Sequence, residues 1–135
     1  MNVNIKQYKD LNINELLMYQ NFQVDELGED VLKVARTDEQ PIYISYRDNN
    51  LYFQVDLGSL KEVNSQELLT ELLDINTEIV PISFGIDSTE ADNARLVLVS
   101  SLLTVDLSDE EVLMVIDAME LATDKAEEVL TKYIK

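Results

Sequence analysis

The stretch PIYISYRDNNLYFQVDLG, Pro41 to Gly58, constrains the fold most. Ile42, Ile44 and Tyr46 alternate with Tyr43, Ser45 and Arg47. After Asp48–Asn49–Asn50 the alternation resumes, with Leu51, Phe53, Val55 and Leu57 against Tyr52, Gln54 and Asp56. A period of two sends alternate side chains to opposite faces of a strand. Asp and Asn tolerate the positive φ of a tight turn. The two runs therefore predict an antiparallel hairpin turning about Asn49–Asn50. One face of that hairpin is aliphatic and the other is wet, as in antiparallel sheets generally.

The rest of the chain supplies further strands and the cover for the aliphatic face. VLKVARTD, from Val31, reads as a strand before the hairpin, and FQVDELGED before it reads as a loop with Gly28 at its tightest point. EIVPISFGI and ARLVLVSSLLT read as two more strands. Pro81 has no N–H for a ladder, so its strand is an edge there or carries a bulge. The second of the two is almost wholly apolar, which predicts burial on both faces.

Three helices are expected. Ile13 to Asn21 carries Ile13, Leu16, Leu17 and Gln20 on one face, with Asn12 and Glu15 at capping-box spacing. Ser65 to Asp74 carries Leu68, Leu69, Leu72 and Leu73, with Asn64 and Glu67 at the same spacing. The last begins at Ser108–Asp109–Glu110–Glu111, a capping box whose acids suit the positive end of the helix dipole. It runs to about Ile134, with Val112, Ile116, Met119, Ala126, Leu130 and Tyr133 in a stripe and Lys132 and Lys135 at its end. The predicted order is α-βββ-α-ββ-α, an α+β class with helices packed on an antiparallel sheet. With three glycines, two prolines and no low-complexity stretch, residues 1–135 are expected to form a single domain.

Composition limits the chemistry. There is no cysteine and no histidine, which removes disulfides, thiolate metal sites and the commonest general base. The glycines lie too far apart for a phosphate loop. A serine–lysine pair stays open, but nothing in the spacing sets Lys33 or Lys61 beside a serine. No catalytic residue, cofactor or metal ligand is assigned, and the chain is expected not to be an enzyme. The net charge of −17 repels nucleic-acid phosphates and anionic lipid, and would speed encounter with a basic partner. MNVNIKQYKD lacks the pattern of a signal peptide, and no apolar run approaches the length of a membrane helix. The expected location is the cytoplasm, without membrane insertion.

Three groups of residues invite a functional reading. Asp87, Glu90 and Asp92 could offer oxygens to a divalent cation, but the calcium-loop pattern is missing and DSTEADN also reads as a polar turn. Asp117, Glu120, Asp124 and Glu128 are read as a solvated helix face. Tyr43, Tyr46, Tyr52 and Phe53 lie on the hairpin strands, with Tyr43 and Tyr52 opposite the aliphatic face. They are candidates for a partner-binding aromatic patch, or for ordinary cross-strand packing.

LLDIN, IVPISFGID and ARLVLVSSLLTVDLSDEEVLMVIDAMELATDKAEEVL, within Leu72 to Leu130, resemble the second half of the YjfI-type bacterial proteins, a family of unknown function. The shared features are the hydrophobic pattern with Pro81, Ser83 and Gly85, and Gln40–Pro41–Ile42 at the start of a strand. LVLVSSLL is more aliphatic than the family pattern. The same element order resembles type III secretion chaperones and YbjN-like proteins, small acidic α+β proteins that are often dimeric and bind extended segments of partners. YjfI-type proteins are often encoded beside PspA-like membrane-stress proteins. The resemblance implies a non-enzymatic, chaperone-like or regulatory module, homodimeric, that binds a peptide or helical segment of another protein, and the net charge argues for no nucleic acid. A cation or small-ligand sensor using the acidic loop, and an acidic nucleic-acid mimic, are the alternatives.

Overall fold

The computed structural model describes residues 4–5, 11–28, 30–63 and 65–133, with side chains described from Ile13 onward except at Val63. Strands β1 (Asn4–Ile5) and β2 (Leu11–Asn12) form a two-stranded antiparallel ribbon. Then come α1 (Ile13–Tyr19), β3 (Gln23–Gly28), β4 (Val31–Ala35), β5 (Ile42–Arg47) and β6 (Asn50–Ser59). The short α2 (Leu60–Val63) and α3 (Gln66–Ile75) follow, then β7 (Ser83–Asp87), β8 (Arg95–Leu103) and α4 (Asp109–Leu130). The large sheet has six strands in the order β3-β4-β5-β6-β8-β7, every neighbouring pair antiparallel. The fold is therefore α+β, with helices on an antiparallel sheet.

The hairpin alternation sets the register. Ile44 faces Phe53 and Tyr46 faces Leu51 across β5 and β6, while Phe53 and Val55 face Ser100 and Leu98 on β8. This face of the sheet carries Leu32, Val34, Ile42, Ile44, Leu51, Phe53, Val55, Phe84, Leu96 and Leu98 into one buried cluster. Ile13 and Leu17 of α1, Leu68 and Leu72 of α3, and the α4 stripe complete it. Each fully buried Leu, Ile or Phe contributes roughly 1.5–3 kcal/mol relative to exposure. The helices that join this cluster lie on one side, and among the described residues the opposite face of the sheet is left open.

Helix α4 forms as its sequence dictates. The Ser108 hydroxyl accepts from the Glu111 N–H at 3.2 Å, and the Glu111 carboxylate accepts from the Ser108 N–H at 3.0 Å. Val112, Ile116, Met119, Ala126 and Leu130 are buried. The helix stops at Leu130, with Thr131 as its C-cap, so it is shorter than the stripe suggested. Tyr133 still packs on the core, while Ile134 and Lys135 lie outside the described residues.

Several elements depart from the pattern reading. Gln23–Gly28 is a strand and not a loop. It is an edge strand, exposed along its length apart from a half-buried Val24. Backbone pairing to β4 alone makes it a strand, and that leaves no alternation to read. The hairpin turns on Asp48 and Asn49, with φ of 51° and 64°, and Asn50 pairs with Arg47. Positive φ at both central residues is what a two-residue hairpin turn needs. The N-cap of α3 is Ser65, whose hydroxyl accepts from the Leu68 N–H at 3.1 Å; Asn64 lies outside the described residues. Pro81 stands just before β7, which is an edge strand. A bulge at Asp56–Gly58 bends β6, and Gly58 takes a φ of 128°, which side chains rarely adopt.

Candidate binding face of the sheet

The open face is built by the residues that alternate with the core. β4 contributes Val31, Lys33 and Ala35; β5 contributes Tyr43, Ser45 and Arg47; β6 contributes Tyr52, Gln54 and Asp56; β8 contributes Arg95, Val97, Val99, Ser101 and Leu103. Cross-strand pairing arranges them in rows. Lys33 faces Tyr43, Tyr43 faces Gln54, and Gln54 faces Val99. In the next row Val31 faces Ser45, Ser45 faces Tyr52, and Tyr52 faces Ser101. Directly opposed side chains sit about 5 Å apart, so these rows form a continuous surface.

The four aromatic candidates divide between the faces. Phe53 is 1% exposed and belongs to the core, so it presents nothing to a partner. Tyr46 also turns inward and packs on the edge of the core, with its hydroxyl 3.3 Å from Asn49 Oδ1. Tyr43 and Tyr52 are half-buried on the open face. The Arg47 guanidinium lies over the Tyr52 ring at 4.4 Å from its centroid, a stacking attraction of about 0.5–1 kcal/mol at such a site.

The other end of the face is closed by polar bonds. Gln54 Nε2 donates to Asp87 Oδ2 at 3.2 Å, reaching from β6 to β7 across β8. By the register, Val97 lies beneath that bridge, and it is 2% exposed. Beside it Arg95 Nε donates to both carboxylate oxygens of Asp56, at 3.2 and 3.1 Å. Burial on both faces is therefore confined to Leu96–Leu98; further along β8, Leu103 is exposed. The apolar run overstated the coverage because among the described residues no helix of the core lies over this side.

The acidic loop is a turn in which Asp87 has assigned partners. Asp87 Oδ1 accepts from the Thr89 hydroxyl and N–H. These bonds, with Gln54, hold its carboxyl below the usual carboxylate range. Among the described residues no group of three carboxylates could hold a metal ion. The segment before it is anchored at its apolar half: the Ser100 hydroxyl donates to the Pro81 carbonyl at 2.9 Å, and the Phe84 N–H donates to Asn76 Oδ1 at 2.7 Å. A Cβ on Gly85 would meet Val97 and Val99 at 3.8 and 3.9 Å, ordinary contact.

The helical acids are not all solvated. Glu120 is 8% exposed and accepts from Arg36 at the end of β4: from Nε at 2.8 Å and from Nη2 in a second bond. The same guanidinium reaches Asp117 at 3.5 Å and stacks on Phe22 at 4.6 Å. A planar fork with two parallel donors suits this bidentate pairing. The hydrogen bond to Glu120 pushes the Arg36 pKa up further. Burial, with repulsion from Glu120 and Asp124, pushes the Glu39 carboxyl up. The sequence offered no pointer to this pair, since its members lie 84 positions apart.

A second surface lies on the helical side. Val80 and Leu121 are exposed, and with Ile79 and Ala118 they line a groove of about 350 Å³ between the α3–β7 connection and α4. Among the described residues no hydrogen bond joins a serine hydroxyl to a lysine amine, and no helix is long and apolar enough to cross a membrane.

With this geometry in hand, the chain can be set beside known proteins. No family model and no curated protein matches it. Solved structures do. A chain of the heterodimeric ExoU–SpcU complex from the type III secretion system of Pseudomonas aeruginosa superposes with a TM-score of 0.69 at 15% identity, covering 87% of this chain and 96% of that one. YbjN, a putative transcription regulator from E. coli, gives 0.63 at 12% identity over 91% and 92%. A chain of the ExsC–ExsE complex gives 0.63 at 15% over 99% and 98%. At such identities the likeness is one of fold. The fold is type III secretion chaperone-like and YbjN-like, as the element order implied.

Proposed function

We propose that this chain is a non-enzymatic, chaperone-like or regulatory protein-binding module: a single domain that works in the cytoplasm as a homodimer. It captures a peptide or helical segment of another protein on its open sheet face or in the groove beside α4. The observation that carries the reading is the near full-length fold match to chains from two protein–protein complexes. The open face with Tyr43 and Tyr52 at its surface supports it, since tyrosine joins apolar area to a polar tip. On the resemblance of Leu72–Leu130, we place the chain with the YjfI-type proteins and assign it a role beside a PspA-like membrane-stress system.

Affinity capture from the native host, with the full chain as bait, tests this reading. A protein enriched over a control bait and rebinding as a purified component is the expected result. Recovery of no such protein, under native expression of the host's membrane-stress genes, rejects it. Light scattering on the purified chain tests the dimer: a monomer mass at micromolar concentration rejects that part alone.

A further inference from the structure

One part of the open face presents cations although the molecule is acidic overall. The chain has a net charge of −17. Yet where β4, β5 and β6 adjoin, away from the Arg95–Asp56 pair, the face presents Lys33 and Arg47 around Tyr43, Ser45 and Tyr52. None of these five side chains has a hydrogen bond or ion pair among the described residues; Arg47 has only its stacking on Tyr52. Asp25 opposes Lys33 across β3 and β4 without forming an ion pair with it. Elsewhere on the face the charged groups already have partners, Arg95 in an ion pair with Asp56 and Asp87 in hydrogen bonds from Thr89 and Gln54.

All five groups are hydrogen-bond donors, and two are cations. They share three adjacent strands, with Lys33 facing Tyr43 and Ser45 facing Tyr52. A carboxylate placed over such a surface meets ammonium, guanidinium and hydroxyl donors together. Charge-assisted bonds of this kind are the stronger ones, and the rings supply apolar contact around them. An extended segment presents alternate side chains to one side at a spacing that suits the pleat. We propose that this patch seats an acidic, extended segment of a partner protein. The proposal rests on the protein-binding reading above and departs from the expectation drawn from net charge: the acidity of the chain does not select a basic partner at this face. The rest of the molecule repels such a segment at long range, so the patch accepts it only where it fits, a form of selectivity by exclusion.

The test uses the full chain and a short fluorescein-labelled peptide of alternating Glu and Thr, with Gln/Thr and Lys/Thr twins. Fluorescence anisotropy is expected to show the Glu peptide binding at least about tenfold tighter than the Gln twin, and Lys33→Glu with Arg47→Glu abolishing that preference. Thermal melts check folding of the double variant; if it does not fold, Lys33→Gln with Arg47→Gln carries the same test. Equal binding of the Glu and Gln peptides overturns the proposal, as does a double variant that keeps the preference. Tighter binding of oligothymidylate at the same two residues overturns it in favour of nucleic acid. A wild-type dimer that the double variant loses and the Glu peptide does not dissociate overturns it in favour of a second copy. A native partner captured equally by wild type and double variant rejects the patch while leaving the protein-binding reading standing.

Discussion

The two faces of the six-stranded sheet are made by neighbouring residues of the same strands, and they differ in what fixes them. Phe53 is enclosed by the helices and by Leu51 and Val55 beside it in the core. Tyr52, one residue away, lies half-buried on the open side with only Arg47 stacked on it. Burial fixes the first face, so its residues are specified by size and shape. Pairing alone fixes the second, so its residues are free to serve recognition.

That contrast can be broken by substitution, beginning with the largest effect. Phe53→Ala should lower stability by about 3–5 kcal/mol through lost transfer energy and a cavity; urea unfolding measures it, and a loss under about 1 kcal/mol would mean that the covered face is not packed as described. The Arg36–Glu120 pair joins the sheet to α4 at the border of the core. Arg36→Ala and Glu120→Ala, taken as a double-mutant cycle, should show a coupling of about 1–2 kcal/mol, reduced from the buried-pair value because Arg36 is partly in water. Additive losses would show that the two ends act independently. Tyr52→Ala on the open face should cost less than about 1 kcal/mol, the range of a cross-strand pair. A loss as large as that for Phe53 would mean that something covers this face in solution.

The smallest effect concerns Glu39, and its sign is opposite. Its carboxyl has a folded-state pKa raised above the unfolded value. Ionisation therefore costs the folded state more, and the loss grows as pH rises from the unfolded pKa through the folded one. Glu39→Gln should stabilise the protein by about 0.5 kcal/mol at pH 7, and the gain should vanish below about pH 4. Unfolding curves at the two pH values separate this from a general packing effect.

Much of the covered face was legible beforehand because burial leaves a period in the sequence. The alternation in Ile42–Leu57, Leu68 and Leu72 of α3 and the stripe and capping box of α4 occupy the places their spacing assigned, while Leu73 of the expected α3 stripe is exposed. β3 was not legible, since an edge strand exposed along its length has no period to show. The turn at Asp48–Asn49 and the cap at Ser65 were each displaced by one residue, because Asp, Asn and Ser neighbours are interchangeable until backbone geometry selects one. Of the candidate site, the placement of Tyr43 and Tyr52 on the open face followed from the alternation. That Tyr46 packs at the edge of the core depended on how far the helices extend over β5.

The sequence by itself determined which residues are driven out of water and which strands and helices can expose or hide them, because hydrophobic periodicity is a local property. It also determined the missing chemistry, with no cysteine and no histidine in the chain. Tertiary structure alone decided that Glu120 leaves the solvated face to meet Arg36, that Gln54 and Asp87 close over Val97, and that Lys33 and Arg47 share a surface without an ion pair to either among the described residues. These are meetings of side chains from separate strands and helices, and charge and hydrogen bonding carry no period along a chain; they acquire direction only when the fold sets the partners within reach.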